Sequence, residues 1–290
     1  MGTSGGAYGN MVESGMKIGI TSDIHLRHST VRQVAAVAEE MAAGGAEVAV
    51  VAGDIGEGPA AFRRCLAVIR SRFPGDVLVL AGNHDLWVAP GYRAGASSLE
   101  LWDSVLPAAV RETGCTDLER SVWSLGGVAI AGSIGWYDYS ATEDRPPCPP
   151  AYYELNKHWH CKDADYITWP FSDIRFAKMV GDALADRLRL LERDKGVHSV
   201  LVATHMPVFR QQMRLEDGNA YYGNLTLGDR IAKFRKVKWV VSGHTHIGSY
   251  RTVLRDGPDI LAAVVPSDYG KPGFVVVDTE RQQMYSSDAQ

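Results

Sequence analysis

The chain alternates two kinds of hydrophobic pattern along its first hundred residues. Residues 16–21, 47–52 and 77–81 are continuous apolar runs of strand length. Between them, residues 30–43 and 59–72 carry apolar residues three and four positions apart, as one face of a helix does. The order strand, helix, strand, helix, strand predicts an α/β fold in which helices cover a largely parallel sheet.

The same two patterns return in the rest of the chain. Two neighbouring glycines, Gly126 and Gly127, predict the turn of a hairpin within residues 121–133. Further helices are predicted at residues 97–113, 171–193 and 227–234, and further strands at residues 199–203, 237–242, 260–265 and 274–277.

Residues 136–170 follow neither pattern and are rich in tyrosine, tryptophan and proline. We interpret this segment as a cap inserted into a single domain of residues 16–290, because long irregular segments of compact proteins often carry function. Its aromatic rings either stack on a flat substrate group or anchor the loop, and the sequence leaves both open. The candidate substrate contacts are Tyr137, Asp138, Tyr139 and Trp159 in the cap and His28 in the loop after the first strand.

Composition and charge narrow the possible functions. The chain has 290 residues and a formal net charge of -4, which argues against stable binding of duplex DNA. Its four cysteines form no CxxC pair, so we expect free thiols and a cytoplasmic location. Residues 1–15 are rich in glycine and serine and are expected to be a flexible leader or expression remnant. No run approaches the ~20 apolar residues of a transmembrane helix, so no membrane partner is expected.

Side chains that can bind metal ions follow five of the predicted strands. Because the carboxyl ends of strands line the crevice in which open α/β sheets bind ligands, we expect these side chains to converge. Imidazole nitrogens combined with carboxylate and amide oxygens suit Mn, Fe, Zn or Ni. The candidates are Asp23 and His25, then Asp54, then Asn83 with His84 and Asp85, then His205, and finally His244 and His246.

Each of these residues has an ordinary explanation when it is taken alone. A single aspartate after a strand is more often a helix cap or a turn residue, and a single histidine is more often part of the core. The spacing makes the set more specific, because alternate residues such as His244 and His246 lie on the same side of an extended backbone. Together, the five segments favour a metal centre over separate structural roles.

The five segments stand in the order of a known signature, and on these residues the sequence resembles the calcineurin-like metallophosphoesterase superfamily. The segments are SDIH at 22–25, GDIGE at 53–57, GNHD at 82–85, THMP at 204–207 and GHTH at 243–246. The resemblance implies a sandwich of two β-sheets flanked by helices, with the tail strands in the second sheet. It also implies two metal ions that share Asp54, one held by Asp23, His25, Asp54 and His246, the other by Asp54, Asn83, His205 and His244.

The resemblance further implies a mechanism and a class of substrate. A hydroxide that bridges the two metals attacks phosphorus, His84 protonates the leaving group or steadies a phosphoryl oxygen, and Asp85 orients the His84 ring. Glu57, at the end of GDIGE, carries no predicted role. The expected activity is a phosphodiesterase acting on a nucleotide or another small organic phosphodiester. A phosphomonoesterase, protein phosphatases included, is the alternative. The complete ligand set argues against a non-catalytic scaffold, and the negative charge argues against a nuclease.

Overall fold

The computed structural model describes residues 15–88, 97–213 and 219–287. Most of the predicted leader, residues 1–14, lies outside this part of the chain. In chain order the strands and helices are β1 (Lys17–Thr21), α1 (Val31–Ala43), β2 (Val48–Ala52), α2 (Pro59–Arg72), β3 (Asp76–Leu80), α3 (Ser98–Glu100), α4 (Leu106–Glu112), β4 (Thr116–Asp117), β5 (Trp123–Leu125), β6 (Val128–Ser133), α5 (Pro150–His160), α6 (Asp163–Tyr166), α7 (Asp173–Arg193), β7 (Ser199–Thr204), α8 (Leu225–Ile231), β8 (Val237–Ser242), β9 (Ser249–Val253), β10 (Ile260–Val264), β11 (Phe274–Asp278) and β12 (Gln283–Ser286).

The helices begin where the local sequence satisfies their free backbone N–H groups. Thr30 caps α1, because its hydroxyl accepts from the Gln33 N–H while the Gln33 side chain accepts from the Thr30 N–H. Pro59 opens α2, where a missing N–H costs nothing. In α7 the buried residues recur at helical spacing, so one face packs on the protein. Among the described residues, no helix is both long enough and apolar enough to cross a bilayer.

The strands form two six-stranded sheets. The order is β12, β11, β1, β2, β3, β4 in the first sheet and β5, β6, β7, β8, β10, β9 in the second. Strands β1 to β4 run parallel, as do β6, β7, β8 and β10, whereas the remaining pairs are antiparallel. The predicted two-sheet sandwich flanked by helices is confirmed. The single, largely parallel sheet that the hydrophobic pattern predicted is replaced by two mixed sheets.

Alternate side chains of the central strands belong to different layers. Ile18 of β1 and Leu201 of β7 lie in a shared core between the two sheets. Val51 of β2 packs in the core beneath α1 and α2, and Val200 and Val202 of β7 pack in the core beneath α7 and α8. The described residues therefore form four layers, in the order helix, sheet, sheet, helix, which buries both faces of each sheet.

The tail strands divide between the two sheets, so the expectation that both lie in the second sheet is only partly met. β10 pairs with β8 in the second sheet. β11 instead pairs antiparallel with β1 in the first sheet, from Lys17 opposite Asp278 to Thr21 opposite Phe274. The physical reason is that β1 pairs with β2 on one side only. β11 fills the other side and adds Val275 and Val277 to the core between the sheets.

The proposed cap, residues 136–170, contains two helices, α5 and α6. The expectation that this segment has little regular structure was wrong. The helical pattern was weak because α5 covers the protein with a narrow face, on which Tyr153 is its one buried residue. A cis peptide bond joins Arg145 to Pro146 just before α5.

The buried carboxyl group of Glu119 makes part of the stability of the fold depend on pH. Glu119 follows β4, and its carboxylate accepts hydrogen bonds from Ser133 Oγ at 3.0 Å and Ile134 N at 2.6 Å. Burial raises the pKa of Glu119 to about 7, although Arg187 and these hydrogen bonds act in the opposite direction. Because the folded state holds the proton more tightly than the unfolded chain, the stabilisation is complete below the ordinary pKa of 4.5 and is lost as pH rises toward 7.

We expect Glu119→Gln to remove this component of the stability. Glutamine can still accept from Ile134 N and donate to Ser133 Oγ, but it does not titrate. Between pH 5 and 7, the free energy of unfolding of the wild type should fall by up to about 1.4 kcal/mol per pH unit relative to the variant. Urea denaturation at several pH values measures this difference. The control is Glu112→Gln, which makes the same change at an exposed side chain. If the free energy of unfolding of Glu119→Gln varied with pH in parallel with that of the wild type, Glu119 would not be the titrating group.

Candidate metal centre

The loops that leave five strands meet at one edge of the two sheets and are tied together by backbone hydrogen bonds. The loop after β1 donates from Asp23 N to Gly53 O at 3.0 Å and from His25 N to Asp54 O at 2.9 Å, in the loop after β2. The loops after β7 and β8 are joined by Gly243 N donating to His205 O at 2.9 Å. The predicted convergence of strand ends is thus present in the structure.

Asp23 and Asp54 extend these links with their side chains. Both oxygens of Asp23 lie 2.9 Å from His244 N, which connects the first sheet to the second. Asp54 Oδ1 accepts from His84 N at 3.0 Å, which connects the loops after β2 and β3. Each carboxylate therefore holds a neighbouring loop in place while it also faces the histidines described below.

Five of the candidate ligands have left-handed backbone conformations. Outside glycine, the described residues include seven with positive φ, and five of the seven are Asp23, His25, Asp54, His244 and His246, at 54°, 43°, 51°, 69° and 58°. This region costs an ordinary residue about 1 kcal/mol or more. Such strain concentrates where a site requires a particular side-chain direction. Its concentration here marks these loops as functional.

Glycines before the ligands allow close approach of the loops. A side chain at Gly82 would collide with Asp54 Oδ1, and a side chain at Gly243 would collide with Ser22 and with Asp23 Oδ2. Gly53 has a φ of 93°, which only glycine adopts readily. Glycine is therefore required at position 53 for its backbone conformation, whereas Gly82 and Gly243 are needed for space.

The candidate side chains form three groups whose ligand atoms lie within 4.8 Å of one another. His246 Nε2 is 3.8 Å from Asp23 Oδ1. On the two sides of Asp54, His25 Nε2 is 3.5 Å from Oδ2 and His205 Nε2 is 3.4 Å from Oδ1. The groups are Asp23, His25 and His246; His25, Asp54 and His84; and Asp54, His205 and His244.

Several imidazole nitrogens in these groups are buried without a hydrogen-bond partner. Both ring nitrogens of His25 and Nε2 of His244 are in this state, and leaving such groups unpaired costs about 1–3 kcal/mol each. His205 and His246 instead donate from Nδ1 to the backbone carbonyls of Ala52 at 3.0 Å and Ser267 at 3.1 Å. Those bonds direct Nε2 of each ring into the cluster, where His205 Nε2 lies 3.0 Å from Asn83 Oδ1, an arrangement typical of metal-binding histidines. The donor set therefore fits a metal centre.

The electrostatics of the cluster keep the histidine lone pairs available. Burial lowers the pKa of His244 well below its ordinary value and lowers that of His25 as well. Burial alone would raise the pKa of Asp54, but His205, His84 and His25 together hold it well below its usual range. Neutral imidazoles around an ionised carboxylate are the protonation states that metal ligation requires.

Sequence comparison identifies the family to which this arrangement belongs. The chain matches the calcineurin-like phosphoesterase family over residues 16–248. It belongs to that family. The predicted superfamily is therefore confirmed, and the chain is a metal-dependent phosphoesterase. No curated protein matches the sequence.

Solved structures of other phosphoesterases share the fold. Phosphopantetheinyl hydrolase from Mycobacterium tuberculosis has a TM-score of 0.69 and 22% sequence identity, over 90% of this chain and 96% of that chain. A dimetal phosphatase from Danio rerio has a TM-score of 0.55 and 14% identity, over 93% of this chain and 98% of that chain. At these identities the likeness establishes the two-sheet architecture.

His84 stands beside the shared carboxylate of this phosphoesterase. Its Nε2 is 3.9 Å from Asp54 Oδ2, and its ring stacks on Trp87 with 3.7 Å between ring centroids. Burial lowers the pKa of His84, but Asp54, Glu57 and Asp163 outweigh it and raise the pKa to about 9. The imidazole ring can therefore carry a proton at neutral pH.

Asp85 does not hold the His84 ring, contrary to the expectation from sequence. Its buried carboxylate accepts from the backbone N–H groups of Ile55, Gly56 and Gly82 at 2.9–3.2 Å. It thus joins the loops after β2 and β3. The physical reason is that the short helical turn starting at His84 directs neighbouring side chains apart, so Asp85 points into the protein while His84 faces the cleft.

Glu57 occupies the place that the sequence analysis assigned to Asp85. Its Oε1 is 3.9 Å from His84 Nδ1 and 3.7 Å from His28 Nε2, and its Oε2 is 3.0 Å from Arg27. The neighbouring His84 and Arg27 lower the pKa of Glu57 to about 2, against the effect of burial. The sequence feature that could have pointed to Glu57 as the partner of His84 was its position in GDIGE, three residues after Asp54.

A cleft of about 1000 Å³ opens above the metal groups. His28 and Trp159, two of the predicted substrate contacts, line it. His28 is 46% exposed, and Trp159 on α5 is 75% exposed. The cleft is also lined by four aromatic residues outside the predicted substrate contacts, namely Trp87, Tyr166, Tyr222 and Tyr269.

The other three predicted substrate contacts lie in the first part of the cap, beneath its helices, and are not among the described residues that line the cleft. Tyr137 is fully buried, and its hydroxyl donates to Asp163 Oδ2 at 3.2 Å. The Tyr139 hydroxyl donates to Asp173 Oδ2 at 2.8 Å, and Asp138 accepts from Ser140 N at 3.0 Å. The two tyrosine hydroxyls anchor α6 and α7 to the loop after β6, whereas the Asp138 bond lies within that loop. For these three residues, the structure therefore favours a role in anchoring the loop over contact with a substrate.

Proposed function

We propose that this phosphoesterase hydrolyses a small organic phosphodiester, such as a nucleotide, at two metal ions that share Asp54. The observation that carries the proposal is the position of the Asp54 carboxylate. One of its oxygens lies 3.5 Å from His25, which belongs to the group with Asp23 and His246, and the other lies 3.4 Å from His205, which belongs to the group with His244. A carboxylate with its two oxygens directed at two sets of ligands is suited to bridging two ions.

Each proposed ion has a set of four protein ligands, with Asp54 common to both. The mixture of imidazole, carboxylate and amide donors suits Mn, Fe, Zn or Ni. The first ion is assigned to Asp23, His25, Asp54 and His246, and the second to Asp54, Asn83, His205 and His244.

The side chains around the metal groups have separate roles in the proposed reaction. When bound, the metal pair makes hydroxide available at neutral pH and neutralises charge on the phosphoryl oxygens. His84, with its pKa raised to about 9, supplies a proton to the leaving oxygen. Glu57 lies 3.9 Å from His84 Nδ1, where it stabilises the protonated ring. Asp85 holds the loops that carry Asp54 and Asn83 in register.

The walls of the cleft support a substrate with an organic group on the phosphate. The ring of Trp159 is 75% exposed on α5 and offers a face for a base or another flat group. Tyr269 lies over the first group of ligands, with ring centroids 4.7 Å from His25 and 4.8 Å from His246. A volume of about 1000 Å³ exceeds what a phosphate ion alone requires.

A panel of substrates tests this proposal. Metal-free protein is loaded with Mn²⁺, and kcat/KM is measured for bis(p-nitrophenyl) phosphate and p-nitrophenyl phosphate, then for cyclic nucleotides, linear nucleotide diesters and phosphopantetheinyl compounds. The last class is included because a structural neighbour is a phosphopantetheinyl hydrolase. We expect a higher kcat/KM for the diester of the aryl pair. A clear preference for the monoester would reject the diesterase assignment in favour of a phosphomonoesterase.

The same panel tests the role of Trp159. Trp159→Ala should raise KM for the preferred organic substrate by about 5–100-fold, in line with the loss of one aromatic stacking contact, while kcat changes little. Leu155→Ala is the matched control, because Leu155 is equally exposed on the same helix but is not among the described residues lining the cleft. Equal effects of the two variants would remove Trp159 from the substrate site.

A cytoplasmic location also remains a proposal. It rests on Cys65, Cys115, Cys148 and Cys161, all of which are free thiols, as expected in a reducing compartment. Cell fractionation with an antibody against the protein would test it, and recovery from an extracytoplasmic fraction would reject it.

A further inference from the structure

Asp163 is a buried carboxylate that the proposed mechanism does not use. It opens α6 in the cap, and 1% of the residue is exposed. A buried carboxylate is costly to keep in a fold unless hydrogen bonds compensate for the lost hydration. The partners of Asp163 therefore indicate what it contributes.

The oxygens of Asp163 reach the loop after β3, which carries Asn83 and His84. Oδ1 accepts from Asn83 Nδ2 at 2.9 Å and from Trp87 Nε1 at 2.6 Å. Oδ2 accepts from the hydroxyl of Tyr137 at 3.2 Å. One carboxylate thus holds both a proposed metal ligand and the ring that stacks on His84 at 3.7 Å.

The contact with Asn83 decides which end of its amide faces the metal site. An asparagine binds a metal through oxygen, but the two ends of its amide have nearly the same shape. Because a carboxylate only accepts, Asp163 attracts the NH₂ end and would repel the oxygen. Asn83 Oδ1 then points the other way, where it lies 3.0 Å from Nε2 of His205, a member of the group with Asp54 and His244.

The contact with Trp87 is reinforced by the rest of the cap. Val88 N donates to Tyr166 O at 2.9 Å, and the rings of Trp87 and Tyr166 stack with centroids 4.6 Å apart. The rings of His84, Trp87 and Tyr166 therefore form a continuous stack from the catalytic loop into the cap. Asp163, three residues before Tyr166, fixes the indole from its edge.

We propose that Asp163 is a positioning residue of the metal centre: it orients the Asn83 amide so that its oxygen faces the second ion, and it holds Trp87 against His84. The inference rests on the proposed function, because it takes Asn83 as a ligand of the second ion. None of the assigned metal ligands lies in the cap. Through Asp163, the cap nevertheless becomes part of the second metal site.

Two substitutions separate hydrogen bonding from shape. Asp163→Leu keeps the two branches at Cγ but is larger and cannot accept a hydrogen bond, so the Asn83 amide is free to turn. Asp163→Asn keeps an oxygen for Asn83 and Trp87, and its NH₂ group can donate to Tyr137. Tyr137→Phe is the matched control, because it removes the bond to Oδ2 but leaves both bonds to Oδ1.

The test is a calorimetric titration of metal-free protein with Mn²⁺, with elemental analysis of the ions retained. Wild type should bind two ions per chain. Asp163→Leu should weaken the second site by about 10–100-fold and leave the first unchanged, as is typical when a partner of a metal ligand is lost. Asp163→Asn and Tyr137→Phe should stay within about threefold of wild type.

Thermal unfolding of each metal-free variant shows whether it is folded. If Asp163→Leu does not unfold cooperatively, Asp163→Ser replaces it, since a serine is too short to reach both Asn83 and Trp87. Fewer than two ions in the wild type would reject the proposed function itself. Two ions in the wild type with unchanged affinities in Asp163→Leu, or equal weakening of both sites, would overturn only the positioning role.

Discussion

Asp54→Asn is expected to reduce the metal content to at most one ion per chain and to lower kcat/KM at least about a thousandfold. Asp54 is 2% exposed, and each of its oxygens faces a different histidine, His25 or His205. Asparagine has the same shape but a single oxygen, and its NH₂ group cannot bind a cation. One of the two proposed sets of four ligands therefore loses its shared member. Elemental analysis and rates on the preferred substrate measure both effects.

The control for Asp54→Asn is Asp186→Asn, which makes the same chemical change at a side chain that is 71% exposed. It should retain two ions and the wild-type rate. Asp54 also accepts from His84 N, so thermal unfolding of the metal-free proteins is needed to show that the variant is folded. A folded Asp54→Asn protein with two ions and full activity would contradict the bridging role.

His84→Ala is expected to lower kcat by about 10²–10⁴-fold, the usual contribution of a positioned general acid. The metal content should stay at two ions, because His84 belongs to neither proposed set of four ligands. Raised pH should not restore activity, since the variant has no group at this position to protonate. Steady-state kinetics with metal analysis of the same samples tests the assignment. Two ions with an unchanged kcat would show that His84 is not the acid.

Glu57 and Asp85 allow the two possible partners of His84 to be compared. Glu57→Gln should lower kcat with little change in stability, because the carboxylate lies beside His84 Nδ1 and contacts exposed side chains. Asp85→Asn should instead lower the free energy of unfolding by about 1–3 kcal/mol, because its NH₂ group would face backbone donors of Ile55, Gly56 and Gly82. The opposite pattern would restore the role that the sequence analysis gave to Asp85.

The exchange of roles between these two acids illustrates what a linear motif leaves open. Asp85 follows His84 directly, so adjacency in the chain favoured it as the partner of the ring. In the structure the backbone turns between the two residues, and Glu57 approaches from the loop after β2. Whether a carboxylate contacts a given imidazole depends on the packing of two loops.

Tertiary packing also decides the roles of the aromatic residues of the cap. Tyr137, Tyr139 and Trp159 have the same sequence signal, a large ring in an irregular segment. Tyr137 and Tyr139 are buried against the acids that anchor α6 and α7, whereas Trp159 is 75% exposed at the cleft. The difference arises because the loop after β6 passes beneath α5.

The sequence alone determined the strands β1, β2, β3, β7 and β8, the first helices and the residue types that follow each strand. These features depend on hydrophobic periodicity, caps and turns, which act over a few neighbouring residues. Tertiary structure decided the pairing of β11 with β1, the partner of His84 and the contact between Asp163 and Asn83, which are 80 positions apart. Such contacts depend on how the two sheets and the cap pack together. A pattern that spans a few neighbouring residues cannot predict which distant residues will meet.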